Sequence, residues 1–253
     1  MRLIKILLFL LIFNSFLLMG VLFSTEEKYS EKNDLIIEEY CNATRILDGD
    51  TIETNLGIVR LLGINVPEKK ERLYEEAKNF TSQLKDKEII LIKLKGYENK
   101  DRYGRLLRYV YYNNSLFNKL ILEKGLAKIY YYKKDIYYEE MLKAEEEARK
   151  NKIGIWEESK NICKDCIKLE ELNNKDPYEH IVLKNICNFP CDLNGWKIRD
   201  DSSSNKDILN LTLNPQEIIK ISYNFSFWND DKDSFYLIDK EGYLVIFYRY
   251  GYS

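Results

Sequence analysis

The chain has 253 residues, room for two domains of ~100–150 residues each. Its formal net charge is only −2, with 23 Lys+Arg against 21 Asp+Glu over residues 38–157 and 11 against 15 over 163–253. That balance excludes capture of polyanions by a broad basic field, so any grip on phosphate must come from a few placed cations.

Residues 1–24 read as a targeting segment. Arg2 and Lys5 precede an apolar run at 6–23, interrupted only by Asn14, Ser15 and Gly20. Its eighteen residues lie at the low end of what spans a bilayer, and the positive flank places the remainder outside. The expected location is the extracellular side, either membrane-anchored through this segment or secreted. Five N-x-[ST] sequons, at Asn42, Asn79, Asn113, Asn210 and Asn224, agree with export. Residues 25–37 are polar and charged and read as a stalk.

Short strands are predicted at 40–47, 51–54 and 58–62, with turns at Asp48-Gly49-Asp50 and Asn55-Leu56-Gly57. Leu73, Ala77, Phe80 and Leu84 recur at helical spacing within 70–85. Strands at 88–94 and 106–112 and helices at 116–122 and 138–150 follow. Five strands with three helices fit an α+β domain over 38–157, an OB-type five-stranded barrel. Residues 158–165 read as a linker. Beyond it come short strands alone, at 167–172, 180–183, 196–198, 208–213, 218–222, 235–238 and 243–248, punctuated by turns such as Asn194-Gly195 and Asn214-Pro215. This predicts an all-β immunoglobulin-like sandwich over 166–253.

Chemistry concentrates in three segments: Asp48-Gly49-Asp50-Thr51-Ile52, Arg60-Leu61-Leu62-Gly63-Ile64-Asn65-Val66-Pro67-Glu68 and Asp101-Arg102-Tyr103-Gly104-Arg105. Together they hold the acids, arginines and carboxamide that phosphodiester hydrolysis around one divalent cation requires. A hard cation wants oxygen ligands, which Asp50, Asn65 and the Val66 carbonyl can supply. Taken singly, each acid beside Gly49 is an ordinary turn residue.

In order, spacing and residue type these segments resemble the staphylococcal nuclease family over roughly residues 38–157. The resemblance implies Ca²⁺ at Asp50, Asn65 and the Val66 carbonyl, with Asp48 behind them. It implies Glu68 as general base, Arg60 and Arg105 on the phosphoryl oxygens, and Arg102, Tyr103 and Tyr131 on the nucleotide. Asn65 departs from the pattern, since well-known members carry aspartate there. An uncharged amide oxygen should weaken Ca²⁺ binding without abolishing it. Tyr111, Tyr112, Tyr137 and Tyr138 are expected as half-buried packing, and Glu145–Glu147 as a solvated helix face. His180, the chain's one histidine, sits in a predicted strand and reads as packing.

The second region carries Tyr178-Glu179-His180-Ile181-Val182-Leu183-Lys184-Asn185 and Asp192-Leu193-Asn194-Gly195-Trp196-Lys197-Ile198-Arg199-Asp200. It resembles a lamin-tail domain; those motifs are structural and name no partner. Cys163-x2-Cys166 and Cys187-x3-Cys191 suit either a four-thiolate Zn²⁺ site or two disulfides. Cys41 is left over, free or intermolecular. The expected function is Ca²⁺-dependent cleavage of DNA or RNA with little sequence specificity. A non-catalytic module binding nucleic acid or protein, and a surface adhesion module, stand against it.

Overall fold

A computed structural model describes residues 35–131, 133–175, 178–202 and 206–252. The predicted targeting segment and most of the predicted stalk lie outside the described residues. Among the described residues no helix is long and apolar enough to cross a membrane.

The first domain is a closed barrel of β1 (Ile36–Asp48), β2 (Thr51–Thr54), β3 (Gly57–Leu61), β4 (Glu88–Leu94) and β5 (Leu106–Tyr112). β1 pairs antiparallel with both β2 and β4, and β4 pairs with β5. β3 closes the ring by lying parallel to β5, with Arg60 opposite Leu107. Side chains alternate across each strand. Val59 and Leu61 therefore enter a core with Ala43, Ile52, Ile89, Leu91 and Val110, all buried, while Arg60 between them faces the rim. β1 starts two residues inside the stretch predicted as stalk, because Ile36 and Ile37 pair with Leu94 and Lys93.

Three helices accompany the barrel: α1 (Tyr74–Thr81), α2 (Phe117–Glu123) and α3 (Tyr138–Lys150). α1 is shorter than its apolar spacing predicts, because Leu73 takes a left-handed conformation (φ 67°) at its start. α3 buries Met141, Ala144, Glu145 and Ala148, the i, i+3, i+4, i+7 stripe of an amphipathic helix.

Among the described residues the second domain has two main sheets and a short ladder of Cys191–Asp192 against Thr212–Leu213. β6 (Ile167–Asn173), β7 (His180–Asn185) and β10 (Ile218–Ser222) form one, with β7 central. β8 (Lys197–Arg199), β9 (Lys206–Ile208), β11 (Asp233–Ile238) and β12 (Leu244–Tyr250) form the other, in the order β9-β8-β11-β12. Ile167, Ile181 and Leu183 from the first sheet share one core with Ile198, Phe235, Leu237 and Trp196. His180 is buried within β7, its ring against the Tyr178 carbonyl and Glu171, a packing role as expected.

Disulfides Cys163–Cys191 and Cys166–Cys187 staple the start of this domain to the loop after β7. The zinc alternative falls, since all four sulfurs are consumed in covalent pairs. Cys41 is buried in the barrel, and burial pushes its thiol up to about 11. The intermolecular role falls with it, because its sulfur is enclosed.

The domains share more than a tether. Residues 158–165 are not a free linker: Glu158 bridges to Leu244, and the Ser159 N–H donates to the Leu244 carbonyl at 2.7 Å. Trp156 and Ala148 of the first domain form one apolar cluster with Tyr236 and Leu244 of the second. Glu145 corrects the expectation of a solvated face. Its carboxylate accepts from the Ile129 N–H at 2.7 Å and pairs with Arg249. Glu146 and Glu147 remain exposed.

Candidate active site

The turn between β1 and β2 presents the first acids. A Cβ at Gly49 would stand 3.0 Å from the Ala77 Cβ and 3.2 Å from Val66 Cγ1, so only glycine lets this turn tuck under α1. Asp50 then points along the rim, where its Oδ1 accepts from the Thr51 hydroxyl at 2.9 Å. Thr51 lies opposite Arg60 in the β2–β3 ladder, which brings the Arg60 guanidinium within 3.1 Å of Asp50 Oδ2.

Asn65 arrives on a two-residue ladder, Ile64–Asn65 against Lys128–Ile129. Arg60 Nη2 donates to Asn65 Oδ1 at 2.5 Å and to the Ile64 carbonyl at 2.7 Å. A carboxylate, an amide oxygen and a backbone carbonyl therefore converge on one cationic nitrogen. Such a set of hard oxygens suits a hard divalent cation. The carbonyl that Arg60 contacts is that of Ile64, and the Val66 side chain packs beside Gly49. Among the described residues no group of three or more His, Cys, Asp or Glu side chains is placed to hold a metal ion.

Arg105 joins from the far side. Its Nε pairs with Asp101 Oδ2 at 2.6 Å, and its Nη1 reaches the Thr51 hydroxyl at 3.4 Å. A chain of contacts thus runs Asp101, Arg105, Thr51, Asp50, Arg60, Asn65. Thr51, which the sequence pattern gives no role of its own, links Arg105 to Asp50. Burial pushes the Asp48 carboxyl above its ordinary range against the Gly49 N–H, and the charges of Asp50 and Glu68 add to the rise. Asp48, Asp50 and Glu68 are therefore electrostatic neighbours, and this corner favours a cation.

Glu68 itself is exposed. Its backbone is fixed, since its N–H donates to Glu71 Oε2 at 2.9 Å and its carbonyl accepts from the Glu71 N–H at 2.8 Å. Tyr103 is 68% exposed, with Arg102 and Arg105 guanidiniums 4.8 and 5.3 Å from its ring centre. Tyr131 does not join them. It is buried, its hydroxyl 2.6 Å from that of Tyr109 and its ring edge-on to Tyr138. No face is left for a base, so the expected stacking role is corrected to core packing. Tyr137 and Tyr138 are likewise buried rather than half-buried.

Glu71 also reaches the second domain. Both its carboxylate oxygens lie 2.7 Å from Arg199 Nη1. Burial raises the Glu71 carboxyl, but Arg199 and the Glu68 N–H outweigh it and hold the group below its ordinary 4.5. A carboxyl depressed on folding adds stability above its unfolded value, and that stability disappears as pH falls through the lower folded value. The Tm deficit of Glu71→Gln is therefore expected to be present at pH 6 and to close below 4.5. An equal deficit on both sides of that value would show that the ion pair is not its source.

Comparison with known proteins covers Arg60, Asn65, Glu68 and Arg105 but begins after Asp50 in the family profile. The family profile described as staphylococcal nuclease homologue matches residues 58–158. An uncharacterized protein of Methanocaldococcus jannaschii is 33% identical over 153 residues, covering 48% of this chain and 73% of that protein. The thermonuclease of Staphylococcus hyicus is 31% identical over 133 residues, 47% of this chain and 76% of its own length. The SPbeta prophage-derived endonuclease YokF of Bacillus subtilis is 33% identical over 129 residues, 46% of this chain and 43% of its own.

Proposed function

The chain belongs to the staphylococcal nuclease homologue family and is a nuclease, and we propose that it is an exported, Ca²⁺-dependent enzyme hydrolysing DNA or RNA with little sequence preference. The observation that carries this reading is the convergence of Asp50, Asn65 and Arg60 on one rim that also holds Arg105 and the exposed Glu68. Asp50, Asn65 and the Val66 carbonyl would hold Ca²⁺, whose charge would polarise a phosphoryl oxygen and acidify water.

The chain's own groups do the rest. Glu68, open to solvent, accepts the proton of the attacking water. Arg60 and Arg105 present planar forks to the phosphoryl oxygens as negative charge builds. Asp101 holds Arg105 by its Nε, and the Arg105 Nη1 reaches the Thr51 hydroxyl beside Asp50. Tyr103, flanked by Arg102 and Arg105, offers a platform for a base; stacking of this kind tolerates any sequence.

Export is supported by the two disulfides, which persist in oxidising compartments, and by the apolar run at 6–23. All five sequon asparagines are exposed, which agrees. The mature enzyme is either secreted or held on the outer face of the membrane by that run. The second domain is a lamin-tail-like sandwich on this reading.

Hydrolysis of fluorescent single-stranded DNA by the whole chain, with Ca²⁺ raised from micromolar to tens of millimolar, tests the reading. Cleavage should rise with Ca²⁺ and stop in EDTA. Half-saturation should fall toward the upper end, because Asn65 brings an oxygen without a charge. Cleavage indifferent to EDTA would remove Ca²⁺ from the account.

A further inference from the structure

Three consecutive residues of the second domain, Arg199, Asp200 and Asp201, each bind the nuclease domain at its catalytic edge. Arg199 pairs with Glu71. The Asp200 carbonyl accepts from Lys128 Nζ at 2.6 Å, and the Asp201 carbonyl accepts from Asn65 Nδ2 at 3.1 Å. Lys128 and Asn65 are register partners on one short ladder, so the segment is gripped at adjacent points.

We infer that residues 199–201 are a positioning element of the nuclease site, with Arg199 setting the Glu68 loop and Asp201 orienting Asn65. This rests on the nuclease reading above. The link to Asn65 is a single hydrogen bond, and the link to Glu68 runs through Glu71. The Glu71 carboxylate that takes Arg199 also takes the Glu68 N–H, so the guanidinium fixes the anchor of the segment that carries the base.

Asn65 is the second link. Arg60 can only donate and the Asp201 carbonyl can only accept, so a side chain lying between them must accept on one side and donate on the other. A carboxamide does both. A carboxylate would set an oxygen against the Asp201 carbonyl. The asparagine that departs from the family pattern is thus the residue a docked second domain requires. Negative charge given up at the metal side is exchanged for a fixed orientation of the remaining oxygen.

Arg199 is assigned a positioning role, read through Glu71 and Glu68. Arg199→Ala in the full chain is expected to lower kcat about ten- to hundredfold, the scale of a small misplacement of a catalytic group. KM should change by less than about twofold, since ground-state binding is untouched. Both Glu71 oxygens contact a single Arg199 nitrogen, so Arg199→Lys should restore most of the rate. Amide hydrogen exchange supplies a readout without catalysis: in Arg199→Ala the amides of 68–71 should exchange faster while those of β4 and β5 do not change. Asn65→Asp should quicken exchange at 200–202.

A wild-type kcat in Arg199→Ala, or unaltered exchange at 68–71, overturns the inference. So does a loss that Arg199→Lys fails to recover in a protein with wild-type Tm. If the unaltered chain cleaves nothing with Ca²⁺ present, the nuclease reading fails, and the exchange measurements still decide whether 199–201 orders the 68–71 loop.

Discussion

Glu68→Gln should lower kcat by about 10²–10⁴-fold, the usual contribution of a general base, with Tm unchanged. The side chain is exposed, and the position is held through its backbone by Glu71. The amide therefore keeps the geometry and removes only the proton acceptor. Arg60→Ala should also cost about 10²–10³-fold, as loss of a transition-state donor does, but with a different signature. Arg60 holds Asp50, Asn65 and the Ile64 carbonyl together, so its removal should lower Tm as well. The measurement is kcat, KM and Tm for both variants on one single-stranded substrate. A Glu68→Gln enzyme within about twofold of wild type would sink the assignment, because no general base contributes so little.

The largest expected effect on stability belongs to Trp156→Ala. This side chain is 1% exposed and stands where the two domains meet, its ring 5.2 Å from Phe247 and 6.1 Å from Tyr236. Truncating a buried tryptophan costs about 3–5 kcal/mol, which in a chain of this size lowers Tm by roughly 6–20 °C. The loss falls on both sides of the interface. Differential scanning calorimetry should thus show either one transition at lower temperature or the second domain separating as its own. A drop under about 2 °C would mean that the interdomain cluster contributes little.

Strand positions were legible from the chain because alternation is local. Ile89, Leu91 and Val110 point inward by period two, and β2, β4 and β5 have the bounds their side chains predict. Part of the site was equally legible. Asp50 and Arg60 are the two ends of one hairpin, where Thr51 faces Arg60, so their meeting follows from a turn and a register. Arg105 depends on the parallel β3–β5 closure, a contact no local pattern announces; only its place in a family-like motif pointed to it.

The failures share a cause. Tyr131 lies in a run of three tyrosines, a pattern without period, so nothing in it says which ring is enclosed. Glu145 looked solvated because its partner Arg249 is 104 residues away, and Glu71 finds Arg199 at a separation of 128. The cysteine spacing allowed metal or disulfides; the pairing was decided by which loops lie side by side.

The sequence by itself determined the barrel's strands, the turn at Gly49, the acid and arginine inventory of the rim and the family that inventory belongs to, since each is written in neighbouring residues. Only the tertiary structure decided that the domains share a core at Trp156 and that Asn65 faces the Asp201 carbonyl. Those contacts join residues far apart in the chain, and a buried charge or amide reveals its role only once the partner that satisfies it is in place.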